Sequence, residues 1–519
     1  MARRVGRYCM RIPVWIFLAL VGCTITGTQG QRISQYTLEA GGMAASGQTP
    51  FWLRANQYGT VPLTNPILRV NMAVRSDYRP ADSTGRRPRW DWGYGLNAVV
   101  NAGPTAGPTA LGSSGVVLLP EAYLKAKFGA FELYAGRRRE TVGLADTLLT
   151  SGSYIWSGNA LPMPKIQLAL RNFTPIPFTK GVLSVLGAFN HGWFENTGRS
   201  TKGAYLHQAY LYGRLGKPTW RFRLYGGFNH EVMWAGYDAT LPYFVAVNGH
   251  LLSNIRYYPS VVLGTRDAIS PTDPTATSFE ENRIGNHLGS LDVGADIRLT
   301  KWNVLVYRQF VYDDGSLFYG TNLADGLNGF RLKNTRQPTG ATFWLRQLTL
   351  EYLFTGSQGG AEFDILDPKK RGRDDYFNNS QYPDGWTYFG RTIGTPFITP
   401  QTEVRASLPN HGVGLANNRV SVVHLGVSGL LLNRVELLTK LSVSRNAGTY
   451  AVPYPKLPTQ FSGLLTAAVP IDWLGGTMLS GSLAVDLGGL LPNSVGGYLS
   501  LRRTGWLGRR ATDRPAGGR

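Results

Sequence analysis

The sequence predicts an all-β fold: a transmembrane antiparallel β-barrel of about 18 strands with long extracellular loops and a candidate lumen plug. Three observations predict it. Apolar and polar residues alternate with period two along most of the chain, the composition is rich in turn formers and interfacial aromatics, and the amino terminus reads as an export signal.

The alternation is the primary signal, because successive strand residues point to opposite faces. Leu68, Val70, Met72 and Val74 alternate with Arg69, Asn71, Ala73 and Arg75. Trp92, Tyr94, Leu96, Ala98 and Val100 alternate with Asp91, Gly93, Gly95, Asn97 and Val99. Leu118, Ala122, Leu124, Ala126 and Phe128 oppose Glu121, Tyr123, Lys125 and Lys127. In a barrel with a wet interior one set faces lipid and the other water.

Such segments are expected near 33–43, 66–79, 90–102, 114–128, 130–138, 164–173, 182–195, 203–215, 218–231, 287–300, 301–313, 342–355, 400–408, 418–430, 433–446, 459–470, 476–488 and 495–505. If the first starts in the periplasm, every second connection is a short periplasmic turn. Gly129-Ala130, Gly216-Lys217, Thr300-Lys301, Leu432-Asn433 and Asp472 to Gly476 fall on that parity. The long connections 139–163, 232–286 and 314–341 fall on the extracellular parity. Residues 356–399 disagree, being long yet on the periplasmic side by this count. They hide a strand pair or fold into the lumen as a plug; Gly, Asn, Asp and Lys are poor strand material and favour the plug.

Charged residues are only 16% of the chain and hydrophobic ones 43%, yet no run of eighteen apolar residues follows the first thirty positions. A helical membrane bundle is thereby excluded. Gly 64, Tyr 26, Trp 13 and Phe 22 suit an all-β membrane protein.

At the amino terminus, Arg3, Arg4, Arg7 and Arg11 precede the short apolar run Ile12 to Val21. Small and polar residues then lead to an expected cleavage after Gly30, so 1–30 is a signal peptide, 31–506 the barrel and 507–519 a basic disordered tail. Leu20-Val21-Gly22-Cys23 also matches a lipobox, which would lipidate Cys23, although a barrel held by its own wall gains little from an acyl anchor. Cys9 and Cys23 both lie in this region, so a mature chain has no disulfide or thiolate chemistry.

Of the net charge of +21, the first thirty residues hold +4 and the last thirteen +3, leaving +14 on the body. That excess favours acidic partners: anionic capsular polysaccharide or exopolysaccharide, and lipopolysaccharide or other outer-membrane lipid. No nucleic-acid motif is present, and an export signal argues against such a partner.

No catalytic constellation emerges. His191, His207, His230, His250, His287, His411 and His424 include no close metal-ligand pair, and Gly-x-Ser-x-Gly is absent. Glu280-Glu281, Asp313-Asp314 and Asp374-Asp375 are adjacent pairs, and neighbours on a strand face opposite ways. No enzyme, metal or cofactor is expected.

The richest segment runs from Phe131 to Lys165. Arg137, Arg138 and Arg139 end a strand, and the loop beyond carries Tyr154, Trp156 and Asn159 before Lys165. Guanidinium groups fork onto carboxylates or phosphates, and aromatic rings stack on sugars. These residues, with Trp193 at a second extracellular strand end, are the candidate polysaccharide site. The competing reading is an aromatic girdle with Arg on lipopolysaccharide phosphates. A porin-like channel for small anions or oligosaccharides is the alternative function.

Several motifs carry a family resemblance. They are Thr49-Pro50-Phe51-Trp52-Leu53-Arg54-Ala55-Asn56-Gln57-Tyr58-Gly59, Tyr134-Ala135-Gly136-Arg137, Ser151-Gly152-Ser153-Tyr154, Trp156-Ser157-Gly158-Asn159-Ala160-Leu161-Pro162, Gly385-Trp386-Thr387-Tyr388, Gly390-Arg391 and Gly394-Thr395-Pro396. Together the sequence resembles the Wzi family of capsule assembly proteins. The resemblance implies an outer-membrane barrel that helps attach capsular polysaccharide to the cell surface in a lectin-like way, without catalysis. It also implies a small helical bundle closing the periplasmic end, for which this sequence shows no clear caps or stripes; residues 356–399 are the candidate plug.

Overall fold

The computed structural model describes residues 33–508 except 81–84, 105–116, 266–275, 278–282, 314–315, 339, 365, 368–369, 371 and 410–413. The export signal with Cys9 and Cys23, most of the basic tail, His411, Glu280-Glu281 and Asp314 lie outside the described residues.

Eighteen antiparallel strands form one sheet. They are β1 Ser34–Ala45, β2 Ile67–Ser76, β3 Trp90–Ala102, β4 Val117–Phe128, β5 Phe131–Arg137 and β6 Pro164–Pro175. Next come β7 Leu183–Trp193, β8 Tyr205–Leu215, β9 Phe222–Trp234, β10 Asn286–Arg298, β11 Trp302–Asp313 and β12 Gly326–Asn334. The last six are β13 Phe343–Phe354, β14 Val420–Leu431, β15 Val435–Asn446, β16 Thr459–Ile471, β17 Thr477–Gly488 and β18 Ser494–Leu507. Each pairs with its neighbours in sequence, and β1 pairs with β18 from Ser34↔Leu507 to Ala45↔Gly496. Closure removes both sheet edges, so neither the first nor the last strand is left with an unpaired side.

The two faces sort by polarity as the alternation requires. Leu124, Leu133, Leu168, Leu291, Val443, Leu465, Leu483 and Leu499 are exposed on the outside. Their strand neighbours Lys125, Gln167, Asp292, Ser442, Thr466, Ser482 and Ser500 turn inward, where several are buried. Trp193 and Tyr205 sit on the outer wall near one rim, and Trp90 and Phe128 near the other, as girdles at the two interfaces do.

Strand content departs from the sequence reading in two places, and the errors cancel in the count. Residues 401–408 form turns after a short pairing of Thr399–Pro400 with Leu415–Asn417, not a wall strand. Gly326–Asn334 is a wall strand, paired with β11 and β13. With β12 inserted the parity shifts by one. The long connections 138–163, 194–204, 235–285 and 355–419 then share one end, and 129–130, 216–221, 299–301, 335–342, 432–434 and 472–476 share the other. The anomaly at 356–399 disappears, because the segment belongs to the long-loop end, the extracellular end of such barrels.

From that end three segments descend into the barrel. Residues 46–61 (with the single helical turn α1, Phe51–Arg54), 138–163 and 375–408 supply Phe51, Trp52, Tyr154, Ile155, Trp156, Tyr376, Phe377, Trp386, Tyr388, Phe397 and Ile398 to one buried cluster. Among the described residues the longest helix is α2, Tyr258–Leu263. The lumen is therefore filled by loops rather than by the helical bundle the resemblance implied.

Candidate functional site

The filling is held by the motif residues themselves. Arg54 and Arg391 both pair with Glu403, the second at 2.8 Å, and all three side chains are nearly inaccessible. Burial opposes ionisation of Glu403, but the two guanidinium groups overcome it and hold its carboxyl below the usual range. Arg54 also donates to Thr49 O at 3.1 Å and Arg391 to Val61 O at 3.0 Å, so this triad ties the first segment to the third. The middle segment joins both. Ser157 Oγ donates to Gly394 O at 2.6 Å, Asn159 Nδ2 to Thr392 O at 3.1 Å, and Asn56 Nδ2 to Ser151 O at 3.1 Å. Gly158, at φ 87°, packs where a Cβ would meet the Tyr58 ring at 2.8 Å, so only glycine suits this turn.

These contacts account for most of the eight residues expected to touch polysaccharide. Tyr154 and Trp156 are in the buried cluster, and Asn159 is a buried tie. Arg138 pairs with Glu132 at 2.8 Å, and Lys165 pairs with Glu140 at 3.1 Å beneath the Trp156 ring. Burial disfavours the Glu140 carboxylate, yet Lys165 and Arg138 outweigh that and lower its pKa. Arg137, half-buried, donates to the Tyr388 hydroxyl at 3.1 Å. Trp193 points to the outer wall with its ring 5.1 Å from that of His191. The eight thus do not gather on an open loop surface. The loop bearing most of them turns down into the lumen, where its apolar Ile155, Ala160, Leu161 and Met163 leave water.

Arg139 differs. It lines a polar cavity of about 610 Å³ beneath the filling. The roof is Trp52, Asn56, Gln57, Tyr58 and Thr60, and the walls are inward residues of β1 to β3 and β15 to β18. Gln35, Arg75, Leu438 and Arg502 lie on the short-turn halves of their strands, so the cavity runs toward that mouth. Sequence reasoning had Arg69 and Arg75 as water-facing but did not assemble them with Lys440 and Arg502, because the barrel closes β1 onto β18 across the whole chain.

At the long-loop end, aromatic side chains stand in solvent. Tyr243 is 85% exposed and Phe318 88%, with Tyr237, Phe244 and Tyr319 also exposed, and Arg419 lies 3.8 Å above the Tyr450 ring. On the outer wall, His230 Nε2 and His287 Nδ1 are 3.0 Å apart, and Tyr258 of α2 covers His207 at 3.3 Å. This pairing of distant histidines was not visible in the sequence.

Comparison with known proteins places the architecture. The family model described as Capsule assembly protein Wzi matches residues 44–408. A solved Escherichia coli structure is similar in fold: Wzi, an outer membrane protein involved in group 1 capsule assembly and described as a carbohydrate-binding β-barrel. It is 15% identical, with 90% of this chain and 84% of that one covered and a TM-score of 0.55. Pseudomonas aeruginosa OccK9 (OpdG) aligns at 11% identity over 92% of this chain and 98% of that one, with a TM-score of 0.45. Acinetobacter baumannii OccAB4 aligns at 8% over 92% and 99%, also at 0.45. Likeness of that order says nothing of shared function. No curated protein matches the sequence significantly. The family match covers more than half of the chain and takes in all three lumen-filling segments, so this chain belongs to the Wzi family of capsule assembly proteins, barrels of the outer membrane.

Proposed function

We propose that this barrel binds acidic capsular polysaccharide or exopolysaccharide and retains it at the cell surface, without carrying out a reaction on it. One observation carries the reading: a wall wide enough for a channel is filled from the long-loop end by a packed core, leaving that end as a surface rather than a passage. The porin alternative needs water where Trp52, Tyr154 and Trp386 pack. The exposed rings of Tyr237, Tyr243, Phe318 and Tyr319 supply stacking faces for sugars, and Arg419 adds positive charge. Buried Arg138, Tyr154, Trp156, Asn159 and Lys165 are the frame beneath this surface. Trp193 meets outer-membrane lipid and lipopolysaccharide.

A deletion strain is expected to lose cell-bound polysaccharide and shed it into the medium; unchanged retention with none shed contradicts the reading. In a glycan screen of the refolded barrel, Tyr243→Ala combined with Phe318→Ala should weaken binding about tenfold. Both side chains are mostly solvated, so folding is left intact.

A further inference from the structure

The cavity beneath the filling has no part in surface retention, and its lining is unusual. Five cationic side chains face it: Arg69, Arg75, Arg139, Lys440 and Arg502. Arg75 is paired with Glu121. Arg69, Arg139 and Lys440 have no carboxylate within ion-pair distance among the described residues. They are positioned instead by neutral groups. Arg69 donates to Thr60 O at 2.7 Å and Thr60 Oγ1 at 2.8 Å. Arg139 donates to Asn97 Oδ1 at 2.6 Å and lies 4.9 Å from the Tyr58 ring centre. Lys440 donates to Thr150 O at 3.0 Å and lies 4.7 Å from the Trp52 ring centre. Among the described residues the one acid on the lining, Glu39, accepts from the Tyr498 hydroxyl at 2.7 Å.

Carboxylates act on these cations only from beyond ion-pair distance, so cations held together in a partly enclosed space are further stabilised by an anion that arrives among them. Two buried donors on the lining, Arg139 Nε and the Trp52 indole N–H, have no hydrogen-bond partner among the described residues. Hydroxyl and amide groups of Thr37, Thr466, Ser480, Ser500, Asn71 and Gln57 share the lining with aliphatic side chains such as Leu438 and Leu464. Such groups exchange hydrogen bonds with a polyol, and the Tyr58 and Trp52 rings add apolar faces. The volume lies within the roughly 300–1,000 Å³ typical of small-ligand sites.

We infer that this vestibule is a second binding site, for a carboxylate-bearing oligosaccharide that enters from the short-turn, periplasmic side. The carboxylate sits among Arg69, Arg139 and Lys440, the sugar hydroxyls meet the Ser and Thr wall, and Arg502 stands at the mouth. No bond is made or broken. The site goes beyond surface retention and lies on the opposite side of the filling.

Trigalacturonate titrated into the detergent-solubilised full barrel by calorimetry tests it, with maltotriose as the neutral arm and inorganic phosphate as the simple-anion arm. Trigalacturonate is expected to bind, maltotriose not measurably, and phosphate far more weakly. Arg139→Gln combined with Lys440→Met should weaken trigalacturonate about tenfold or more. Arg502→Glu, at the solvated mouth, should weaken it too and decides the matter if the double variant loses its heat-modifiable mobility. Repeating the titration in the Tyr243→Ala, Phe318→Ala background removes the surface contribution: trigalacturonate heat that persists there and is lost on adding the vestibule changes belongs to this site, which separates failure here from failure of the surface reading. Equal affinity for maltotriose, phosphate binding as tight as trigalacturonate, or properly folded vestibule variants that bind like the parent would each overturn the inference.

Discussion

Glu403→Gln is expected to loosen the lumen filling by about 3–5 kcal/mol while the wall stays closed. The substitution leaves Arg54 and Arg391 buried without a counter-charge, and an uncompensated buried charge is among the most costly changes a folded chain can suffer. Unfolding in denaturant, followed by the fluorescence of buried Trp52, Trp156 and Trp386, should show an early transition separate from loss of the barrel's heat-modifiable mobility. Replacing the whole triad, as Arg54→Met with Glu403→Leu and Arg391→Met, should recover most of the loss, since no charge is left stranded. Acid should mimic the single change. The folded-state pKa values of Glu403 and Glu140 are lowered from the ordinary 4.5. Their contribution is therefore fully present above that value and lost as pH falls through the depressed folded values. If Glu403→Gln unfolds like the parent, the triad does not hold the segments together.

Leu465→Arg is expected to destabilise the barrel by about 2–4 kcal/mol, whereas the polar change Thr466→Gln should alter it by only about 1 kcal/mol. The two positions are adjacent in the middle of β16 and differ in the face they present. Leu465 is half exposed on the outer wall, where a guanidinium would enter hydrocarbon. Thr466 lines the wet vestibule and loses only its 2.9 Å contact with Ser482. Reversible unfolding from detergent or lipid with guanidinium measures both. Equal penalties would mean that the two faces do not separate lipid from water.

The wall was legible because period-two alternation is local, and seventeen of its strands announce themselves by it. Gly326–Asn334 does not. Gly326 and Gly329 interrupt it, and Arg331 and Lys333 alternate with only Phe330 and Leu332 before the pattern stops. Conversely, Thr402, Val404 and Ala406 alternate with Glu403 and Arg405 but serve the lumen filling, where Glu403 is drawn to two arginines distant in sequence. The site was less legible for the same reason. A Trp and a Tyr in a loop look identical from sequence whether the loop rises into solvent or turns into a barrel. What could have shown the direction is the Ala160-Leu161 pair beside them, too apolar to stand in water. The motifs behind the family resemblance proved to be the contacts that assemble the filling, from Arg54 to Asn159 to Arg391.

Single-channel recording of the purified barrel in planar bilayers tests most directly whether packed side chains close the cylinder. We expect insertion without stable open-channel current at neutral pH, and brief, irregular openings in the Glu403→Gln variant. Steady ohmic conductance in the parent protein, with anions preferred over cations, would contradict a filled lumen and restore the channel reading.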